Sequence, residues 1–184
     1  MRVIAGTAKG TRLATVPAGT RPVSDRAREG LFSSLGPLGP DDRVLDLFAG
    51  TGALGIEALS RGAGHATFVD SSPRAVATIH ENLGRTGLEH RGTVRRLNAG
   101  RVLGRLEGPY GLILMDPPYA LARPLLDRLF HEVAGQTLVE PGGRLVLTRP
   151  KEGYTPVIPL HWSLERRLSY GDAVVLVFRV PQQR

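Results

Sequence analysis

Cysteine is absent from the sequence, so disulfide bonds, thiolate metal sites and cysteine nucleophiles are excluded. No apolar run approaches the roughly 20 residues that a membrane-spanning helix needs. The N-terminus, MRVIAGTAKG, also lacks the hydrophobic stretch of a signal peptide. We therefore expect a soluble, cytoplasmic protein whose 184 residues form one compact unit with a substantial core.

Lysine is scarce: of the 24 basic residues only Lys9 and Lys151 are lysines, and the others are arginines. The 17 acidic residues leave a net charge of +7, which is typical of proteins that bind a polyanion. A GC-rich genome or adaptation to heat also produces an arginine-rich composition, so the charge alone leaves both explanations open. Clustering of the basic residues favours nucleic acid. The clusters are Arg2, Lys9, Arg12, Arg21, Arg26 and Arg28 near the N-terminus, and Arg85, Arg91, Arg95, Arg96, Arg101 and Arg105 in mid-chain.

The first 40 residues differ in pattern from the rest. Residues 1–15 predict a small hairpin with a turn around Thr7 to Gly10, and SDRAREGLFSSL predicts a short helix with Ser24 as its N-cap. We expect residues 1–40 to form an extension of the main domain, which spans residues 41–184. Because the hairpin has no core of its own, we expect it to be available for binding.

From Arg43 onward, predicted strands and helices alternate, and the chain ends in two strands joined by a turn at Gly171 and Asp172. This order predicts a parallel α/β sheet with an antiparallel edge. Ser72 is expected to cap a long helix that has Pro73 in its first turn. Ligands on such sheets bind at the carboxyl ends of the strands, so residues that follow each strand are the first candidates for a site.

A glycine-rich turn follows the first of these strands, in DLFAGTGALG. Gly50, Gly52 and Gly55 satisfy the G-x-G-x-x-G pattern of nucleotide-binding turns, and Asp70 ends the next strand about 20 residues later. At that position Asp70 could accept both hydroxyl groups of a ribose. A purely structural turn can contain the same glycines, but the position of Asp70 favours a nucleotide.

The acid before the glycines indicates which nucleotide to expect. Asp46 places a carboxylate near the mouth of the predicted pocket, which suits a ligand with cationic groups better than a pyrophosphate. We therefore favour S-adenosylmethionine, which carries an ammonium and a sulfonium group, as the cofactor. The carboxylate could instead accept hydrogen bonds from backbone N–H groups or water, and that alternative stays open.

A second motif, DPPY at residues 116–119, follows the apolar strand YGLILM. The side chain of Asp116 and the carbonyl of Pro117 could each accept one N–H of an exocyclic amine and aim its lone pair at a methyl group. Pro117 and Pro118 would fix the backbone, and Tyr119 would offer a face to a planar base. The pattern predicts methyl transfer without a metal. The alternative is a purely structural role, in which the prolines end the strand and the acid caps the next turn.

At this point a family resemblance adds to the argument. Three segments resemble the S-adenosylmethionine-dependent amino-methyltransferases: DLFAGTGALGIEALSRGA, the VD at 69–70 and DPPY. The N-terminal segment, RVIAGTAKGTRL followed by TRPVSDRAREGLFSSL, is similar to one branch, the RsmD-type small-subunit ribosomal RNA guanine-N2 methyltransferases. The similarity to this branch extends over almost the whole chain. The resemblance implies a seven-stranded Rossmann-like sheet, mostly parallel with an antiparallel last strand. It also implies methyl transfer to the exocyclic N2 of a guanine in 16S rRNA, free or in the small ribosomal subunit, by an enzyme that we expect to be a monomer.

The resemblance also implies roles for individual residues. Asp116, Pro117, Pro118 and Tyr119 would form the catalytic loop. Gly30 and Ser33 stand where bulkier or amide residues are expected, and we expect this departure to loosen the N-terminal helix. Cofactor contacts are expected from Asp46, Phe48, Gly50, Gly52, Asp70, Ser71, Asn98 and Ala99, with Asn98 standing where an acid is common.

The basic N-terminal residues are the candidates for substrate contacts. Arg2, Lys9 and Arg12 of the hairpin are expected to bind phosphates. Arg21, Asp25, Arg26 and Arg28 could fold over the pocket, with one arginine reaching RNA or the carboxylate of the cofactor, or could form a solvated helix face. We assign Arg2, Lys9, Arg12, Arg21 and Arg26 to the substrate. No metal is expected, because the five histidines share no metal-like spacing.

Other functions fit the motifs less completely. Adenine N6 in nucleic acid and a protein glutamine are the nearest alternative substrates for the same chemistry. An NAD-binding oxidoreductase would use the glycines but leave DPPY unexplained, and a non-catalytic RNA-binding module would use neither motif.

Overall fold

A seven-stranded sheet forms the centre of the computed structural model, which describes residues 1–16, 23–98, 103–135 and 138–182. The strands are β1 (Arg43–Leu47), β2 (His65–Asp70), β3 (Gly92–Arg96), β4 (Tyr110–Met115), β5 (Val139–Pro150), β6 (Ser163–Tyr170) and β7 (Ala173–Arg179). The helices are α1 (Asp25–Leu35), α2 (Ala53–Ser60), α3 (Pro73–Thr86) and α4 (Arg123–Gly135), with 3-10 turns at Glu89–Arg91 and Leu103–Arg105.

The strand order is β3-β2-β1-β4-β5-β7-β6. Strands β1 to β5 pair in parallel, whereas β7 is antiparallel to both β5 and β6. The predicted Rossmann-like, mostly parallel sheet with an antiparallel last strand is therefore confirmed. The antiparallel strand does not lie at the edge, however, because β6 adds to its outer side. The strand order changes direction between β1 and β4: β2 and β3 lie on one side of β1, and β4 and the later strands lie on the other. Ligands of doubly wound sheets bind at such a switch point.

Alternate residues of the buried strands supply the two faces of the sheet. On one face, Val44 of β1 belongs to a hydrophobic cluster that includes Leu31 of α1, Ile56 of α2 and Ile79 of α3. On the other face, Leu45 belongs to a cluster built with α4. That second cluster also contains the buried Trp162. No helix in the described ranges is long and apolar enough to cross a membrane.

The predicted hairpin forms, and its apolar side packs against the main domain. Its two arms meet at a single antiparallel bridge between Arg2 and Arg12, and its apolar side chains Val3 and Leu13 are buried in the same cluster as α1 and α2. A Cβ atom on Gly6 would lie 1.7 Å from the carbonyl oxygen of Ser60, so the hairpin backbone touches α2 directly. The hairpin therefore shares the core of the domain, and its role in binding stays a prediction. The division at residue 40 stays a prediction.

The helix ends follow the local signals in the sequence. The Ser24 hydroxyl accepts a hydrogen bond from Ala27 N–H at 3.2 Å, and the Ser72 hydroxyl accepts one from Ala75 N–H at 3.3 Å. Pro73 opens α3. These capping predictions are confirmed, because such contacts depend on residues three positions apart and need no tertiary information.

Gly30 has a packing role that the sequence does not reveal. A Cβ atom at this position would lie 1.7 Å from the hydroxyl oxygen of Tyr170, at the end of β6. A bulkier residue would therefore require the Tyr170 side chain or α1 to move. The missing side chain lets α1 approach Tyr170 closely, and the expected loosening of the helix stays a prediction.

Gly55 is similarly constrained, and this generates a stability prediction. A Cβ atom on Gly55 would lie 2.3 Å from the buried ring of Phe68, so Gly55→Ala should lower the free energy of unfolding by about 1–3 kcal/mol. Gly84 is the matched control, because it lies in α3 with nothing within 4 Å of its added Cβ. Gly84→Ala should raise stability by about 0.5–1 kcal/mol. Urea denaturation of both variants tests this, and wild-type stability of Gly55→Ala would contradict the close packing of α2 on β2.

Candidate active site

A cavity of about 410 Å³ lies at the carboxyl ends of β1, β2 and β4, where the strand order reverses. Of the predicted cofactor residues, Gly52 is not part of its wall and Ala99 lies outside the described residues. Asp116 and Pro118 of the DPPY loop line the same cavity. The predicted cofactor residues that line it are Asp46, Phe48, Gly50, Asp70, Ser71 and Asn98. Two motifs about 60 residues apart are thus brought to one place by the parallel sheet.

The turn after β1 needs unusual backbone conformations. Gly50 and Gly52 have φ values of 55° and 76°, and Phe48 has a φ of 62° although it is not glycine. A non-glycine residue in this region costs on the order of 1 kcal/mol, and such strained residues cluster at functional sites. Gly52 is the N-cap of α2, so the turn leads directly into the free N–H groups of a helix start.

Asp70 is fixed at the end of β2 by two backbone N–H groups. Its Oδ2 accepts a hydrogen bond from Gly50 N–H at 2.9 Å, and its Oδ1 accepts one from Ser72 N–H at 2.9 Å. A carboxylate oxygen can accept more than one hydrogen bond, so each retains capacity for a hydroxyl group. Asp70 therefore joins the glycine turn to the start of α3 and presents an oriented acceptor pair to the cavity.

Asp46 is buried in the wall of the cavity with one oxygen unsatisfied. Its Oδ2 accepts a hydrogen bond from Gly55 N–H at 2.9 Å, as the backbone alternative anticipates. Its Oδ1 has no hydrogen-bond partner among the residues described. Burial raises the pKa of Asp46 well above its usual range, and the nearby charges of Asp116 and Asp70 raise it further. A cation in the cavity would offset this penalty, so the site suits a positively charged ligand.

Asp116 occupies a similar position at the end of β4. Burial raises the pKa of Asp116 to about 7, with the charge of Arg149 acting in the opposite direction. Arg149, at the end of β5, is 4% exposed. Its Nε and Nη1 find no hydrogen-bond partner within the described part of the chain. Sequence reasoning missed Arg149, although a charged residue that ends the apolar strand RLVL follows the same rule that found Asp116.

A second cavity of about 420 Å³ adjoins the first and shares Val23 and Asp116 with it. Its wall includes the exposed Tyr119, Arg26 of α1, and the turn between β6 and β7, where Asp172 lies. Asp116 thus stands between two spaces. Two ligands, one bound in each cavity, would therefore meet near Asp116.

The predicted substrate residues do not all gather at this site. Arg26 lines the second cavity, whereas the exposed Arg2, Lys9 and Arg12 of the hairpin line neither cavity. Arg21 lies outside the described residues. Among the predicted substrate residues that the structure describes, only Arg26 shares a cavity with the DPPY loop.

One further arginine, Arg28, reaches the first cavity from α1. It is fully buried, unlike its exposed neighbour Arg26. No group of three or more His, Asp or Glu side chains that could hold a metal ion occurs in residues 1–16, 23–98, 103–135 and 138–182.

The switch-point cavity, the glycine turn and the DPPY loop define a methyltransferase of Rossmann-like fold, and the comparisons with known proteins agree. The chain belongs to the family described as "Conserved hypothetical protein 95", whose model matches residues 1–179. The RsmD-type resemblance is thereby confirmed. Ribosomal RNA small subunit methyltransferase D of Escherichia coli K12 is 31% identical over 180 residues, which cover 97% of this chain and 89% of the relative.

Two further proteins show the same similarity. The Bacillus subtilis protein YlbH, named as a candidate rRNA methyltransferase, is 36% identical over 183 residues, or 97% of this chain and 98% of the relative. The solved structure of the Escherichia coli methyltransferase candidate YhhF superposes with a TM-score of 0.87 at 32% identity, covering 100% of this chain and 99% of that one. The similarity includes the N-terminal extension as well as the sheet.

The partly buried carboxylate of Asp116 generates a prediction about stability. Because the pKa of Asp116 is raised to about 7 in the folded state, the folded protein binds this proton more tightly than the unfolded chain does. Ionised Asp116 therefore destabilises the fold above pH 7, and this cost decreases as the pH falls towards the ordinary carboxyl pKa of about 4. Asp116→Asn should raise the free energy of unfolding by roughly 1–2 kcal/mol at pH 8.

Denaturation at pH 8 and at pH 5 measures this effect. The gain from Asp116→Asn should be large at pH 8 and small at pH 5. Asp41→Asn, at an exposed carboxylate, should leave stability unchanged at both values. A pH-independent effect of Asp116→Asn would show that burial does not shift this group.

Proposed function

We propose that the protein transfers a methyl group from S-adenosylmethionine to the exocyclic N2 amine of a guanine in 16S rRNA. The observation that carries the proposal is the position of Asp116, which lines both the switch-point cavity and the adjoining cavity. A methyl donor in the first and a base in the second would meet there. The names of the relatives support ribosomal RNA as the substrate.

The residues of the first cavity fit the proposed cofactor. Asp70 offers an oriented acceptor pair for a ribose, and Asp46 offers an unsatisfied buried oxygen to a cationic group. When bound, S-adenosylmethionine supplies an electrophilic methyl carbon on a positively charged sulfur. Its positive charge would also favour the ionised forms of Asp46 and Asp116.

The DPPY loop would orient the amine and manage its proton. The Asp116 carboxylate and the Pro117 carbonyl accept one N–H each, which turns the nitrogen lone pair towards the methyl donor. With a pKa of about 7, Asp116 can take the proton that the nitrogen loses when the new N–C bond forms. The exposed ring of Tyr119 provides a stacking surface for the base once it has left its paired state.

The second cavity favours guanine over adenine. Two acidic residues, Asp116 and Asp172, line this cavity. The guanine edge that carries N2 presents N1–H as a neighbouring donor, whereas the amine of adenine is flanked by ring-nitrogen acceptors. An acidic side chain beside Asp116 would accept a hydrogen bond from guanine N1–H, a donor that adenine lacks next to its amine.

The N-terminal extension and the net positive charge would help to bind the RNA. Exposed Arg2, Lys9 and Arg12 of the hairpin, together with Arg26 at the second cavity, would bind backbone phosphates. We propose that residues 1–40 act as the RNA and cofactor lid of a monomeric enzyme, and that the reaction takes place in the cytoplasm.

The experiment is transfer of a radiolabelled methyl group to unmodified small ribosomal subunits, naked 16S rRNA, duplex DNA and total protein. Label recovered as N2-methylguanosine from small-subunit RNA is the expected result. Label in DNA, in protein or at adenine would retain the chemistry and overturn the substrate. Cofactor binding without any transfer to these substrates would also count against the proposal.

A pair of variants separates catalysis from cofactor binding. Asp116→Ala should lower kcat by about 10²-fold or more, because it removes one of the two groups that orient the amine, and should leave the affinity for S-adenosylhomocysteine nearly unchanged. Asp70→Ala should weaken cofactor binding first. Equal loss of both properties in Asp116→Ala, measured by single-turnover kinetics and calorimetry, would contradict its assigned role.

Stacking on Tyr119 has its own test. Tyr119→Ala should impair methyl transfer through KM or kcat, because stacking of a base on an aromatic ring contributes about 1–3 kcal/mol. Tyr119→Phe, which keeps the ring, is the matched control and should retain activity. Unchanged kinetics of Tyr119→Ala would exclude the ring as a platform.

A further inference from the structure

Arg149 is a charged residue buried near the end of β5, and the proposed methyl transfer assigns it no task. Strand β5 lies between β4 and β7, and Arg149 pairs with Val174 of β7. Its backbone is therefore part of the interior of the sheet. A side chain on such a rigid element holds its position more precisely than one on a loop, so Arg149 is suited to orient a neighbouring group.

The DPPY loop leaves the sheet next to Arg149. Met115, the last residue of β4, pairs with Leu147 of β5, so Asp116 and Arg149 follow the same end of two adjacent parallel strands. Burial raises the pKa of Asp116, and the charge of Arg149 acts in the opposite direction. Burial lowers the pKa of Arg149, and Tyr119 and Asp116 act in the opposite direction. Arg149 is thus electrostatically coupled to the first and last residues of the loop.

The guanidinium group of Arg149 lacks the hydrogen bonds that a buried cation normally makes. Its Nε and Nη1 are buried without a partner in the ranges that the structure describes. Native structures keep such costly groups mainly at catalytic or ion-binding positions. Because arginine keeps its proton in proteins, the buried charge persists and an anion nearby would stabilise it. Ionised Asp116 is the anion that the strand order places beside it.

The other charges around Asp116 do not supply such a partner. Arg149 and Arg28 are the two buried arginines of the described ranges, and Arg28 already pairs with Asp25 and Glu57. The three further acids at the cavities disfavour another negative charge, and Arg26 is exposed to solvent. The charged residues that line the two cavities together with Asp116 are Asp46 of β1, Asp70 of β2, Arg26 and Arg28 of α1, and Asp172 of the β6–β7 turn.

We propose that Arg149 is a positioning residue for methyl transfer, which holds the carboxylate of Asp116 in place to accept the incoming amine. This inference rests on the proposed function, because it assumes that Asp116 accepts an N–H of the base. A neutral carboxylic acid carries an O–H donor that would compete with this N–H, whereas a carboxylate only accepts. Arg149 lines neither cavity, so it acts through Asp116 and not by contact with the substrate.

The pH dependence of methyl transfer to small-subunit RNA tests this role. Arg149→Met removes the charge without breaking a hydrogen bond of Nε or Nη1, so we expect it to fold and to ionise Asp116 only at higher pH. The acidic limb of kcat/KM, which reports the free enzyme, should move upward by about one pH unit. The variant should then be about 10-fold less active than the wild type at pH 6 and within about twofold at pH 8.5. Arg149→Lys, which keeps a positive charge, should restore most of the activity at pH 6.

Arg144→Met is the matched control, because Arg144 lies earlier on the same strand, pairs with Glu165 at 3.0 Å and lines neither cavity beside Asp116. It should leave the acidic limb at its wild-type pH. An acidic limb that does not move in Arg149→Met would overturn the proposal. An increase in KM for the RNA that is the same at every pH would also overturn it, since that result would indicate a contact between Arg149 and a phosphate.

A stability measurement tests the same contact without any methyl transfer. Because Arg149 stabilises ionised Asp116, Asp116→Asn should stabilise the Arg149→Met protein more than it stabilises the wild type at pH 8. The change in the unfolding equilibrium constant should be about fivefold larger in the Arg149→Met background, and the difference should vanish at pH 5, where Asp116 is protonated in both. Equal gains in the two backgrounds at pH 8 would overturn the inference. Coupling in a wild-type protein that methylates no RNA would instead overturn the proposed function, so the two failures are distinguishable.

Discussion

A carboxylate without access to water must find partners for both oxygens within the protein, and Glu57 illustrates how much of a fold can depend on this requirement. Two backbone N–H groups of the hairpin and two arginine side chains, Arg28 and Arg61, surround it. Removing Arg28 would leave Glu57 without its buried cation, and breaking a buried ion pair typically costs several kcal/mol. The position of the hairpin, the burial of Arg28 and the wall of the first cavity all follow from this contact.

The site concentrates negative charge in a protein that is positive overall. Asp46, Asp70 and Asp116 lie around one cavity, and their mutual repulsion together with burial disfavours the ionised state of Asp46. Such an arrangement reduces the stability of the empty protein, and a cationic ligand reverses the effect. The raised pKa of Asp116 and the strained φ of Phe48 also lower the stability of the ligand-free protein at a site that is arranged to bind a ligand.

Features that depend on neighbouring residues could be predicted from the sequence. The serine caps of α1 and α3, the glycine turn and the acids that end β1, β2 and β4 are local patterns, and the parallel sheet then brings their strand ends together. Features that depend on distant partners could not. Gly30 looks like a defect until Tyr170, 140 positions later, is placed against it. Arg28 looks like one of several surface arginines, because its contact with Glu57 exists only in the folded chain.

The two outer strands of the sheet explain part of the arginine content. Edge strands present unpaired backbone groups to which another chain can add, and natural proteins block this with charged side chains and irregular register. The edge strand β3 carries exposed Arg95 and Arg96, and β6 carries exposed Arg166 and Arg167 beside a register shift after Leu164. Arginines at these edges discourage aggregation between copies of the chain, so some of the positive charge protects the sheet from self-association and need not contact nucleic acid.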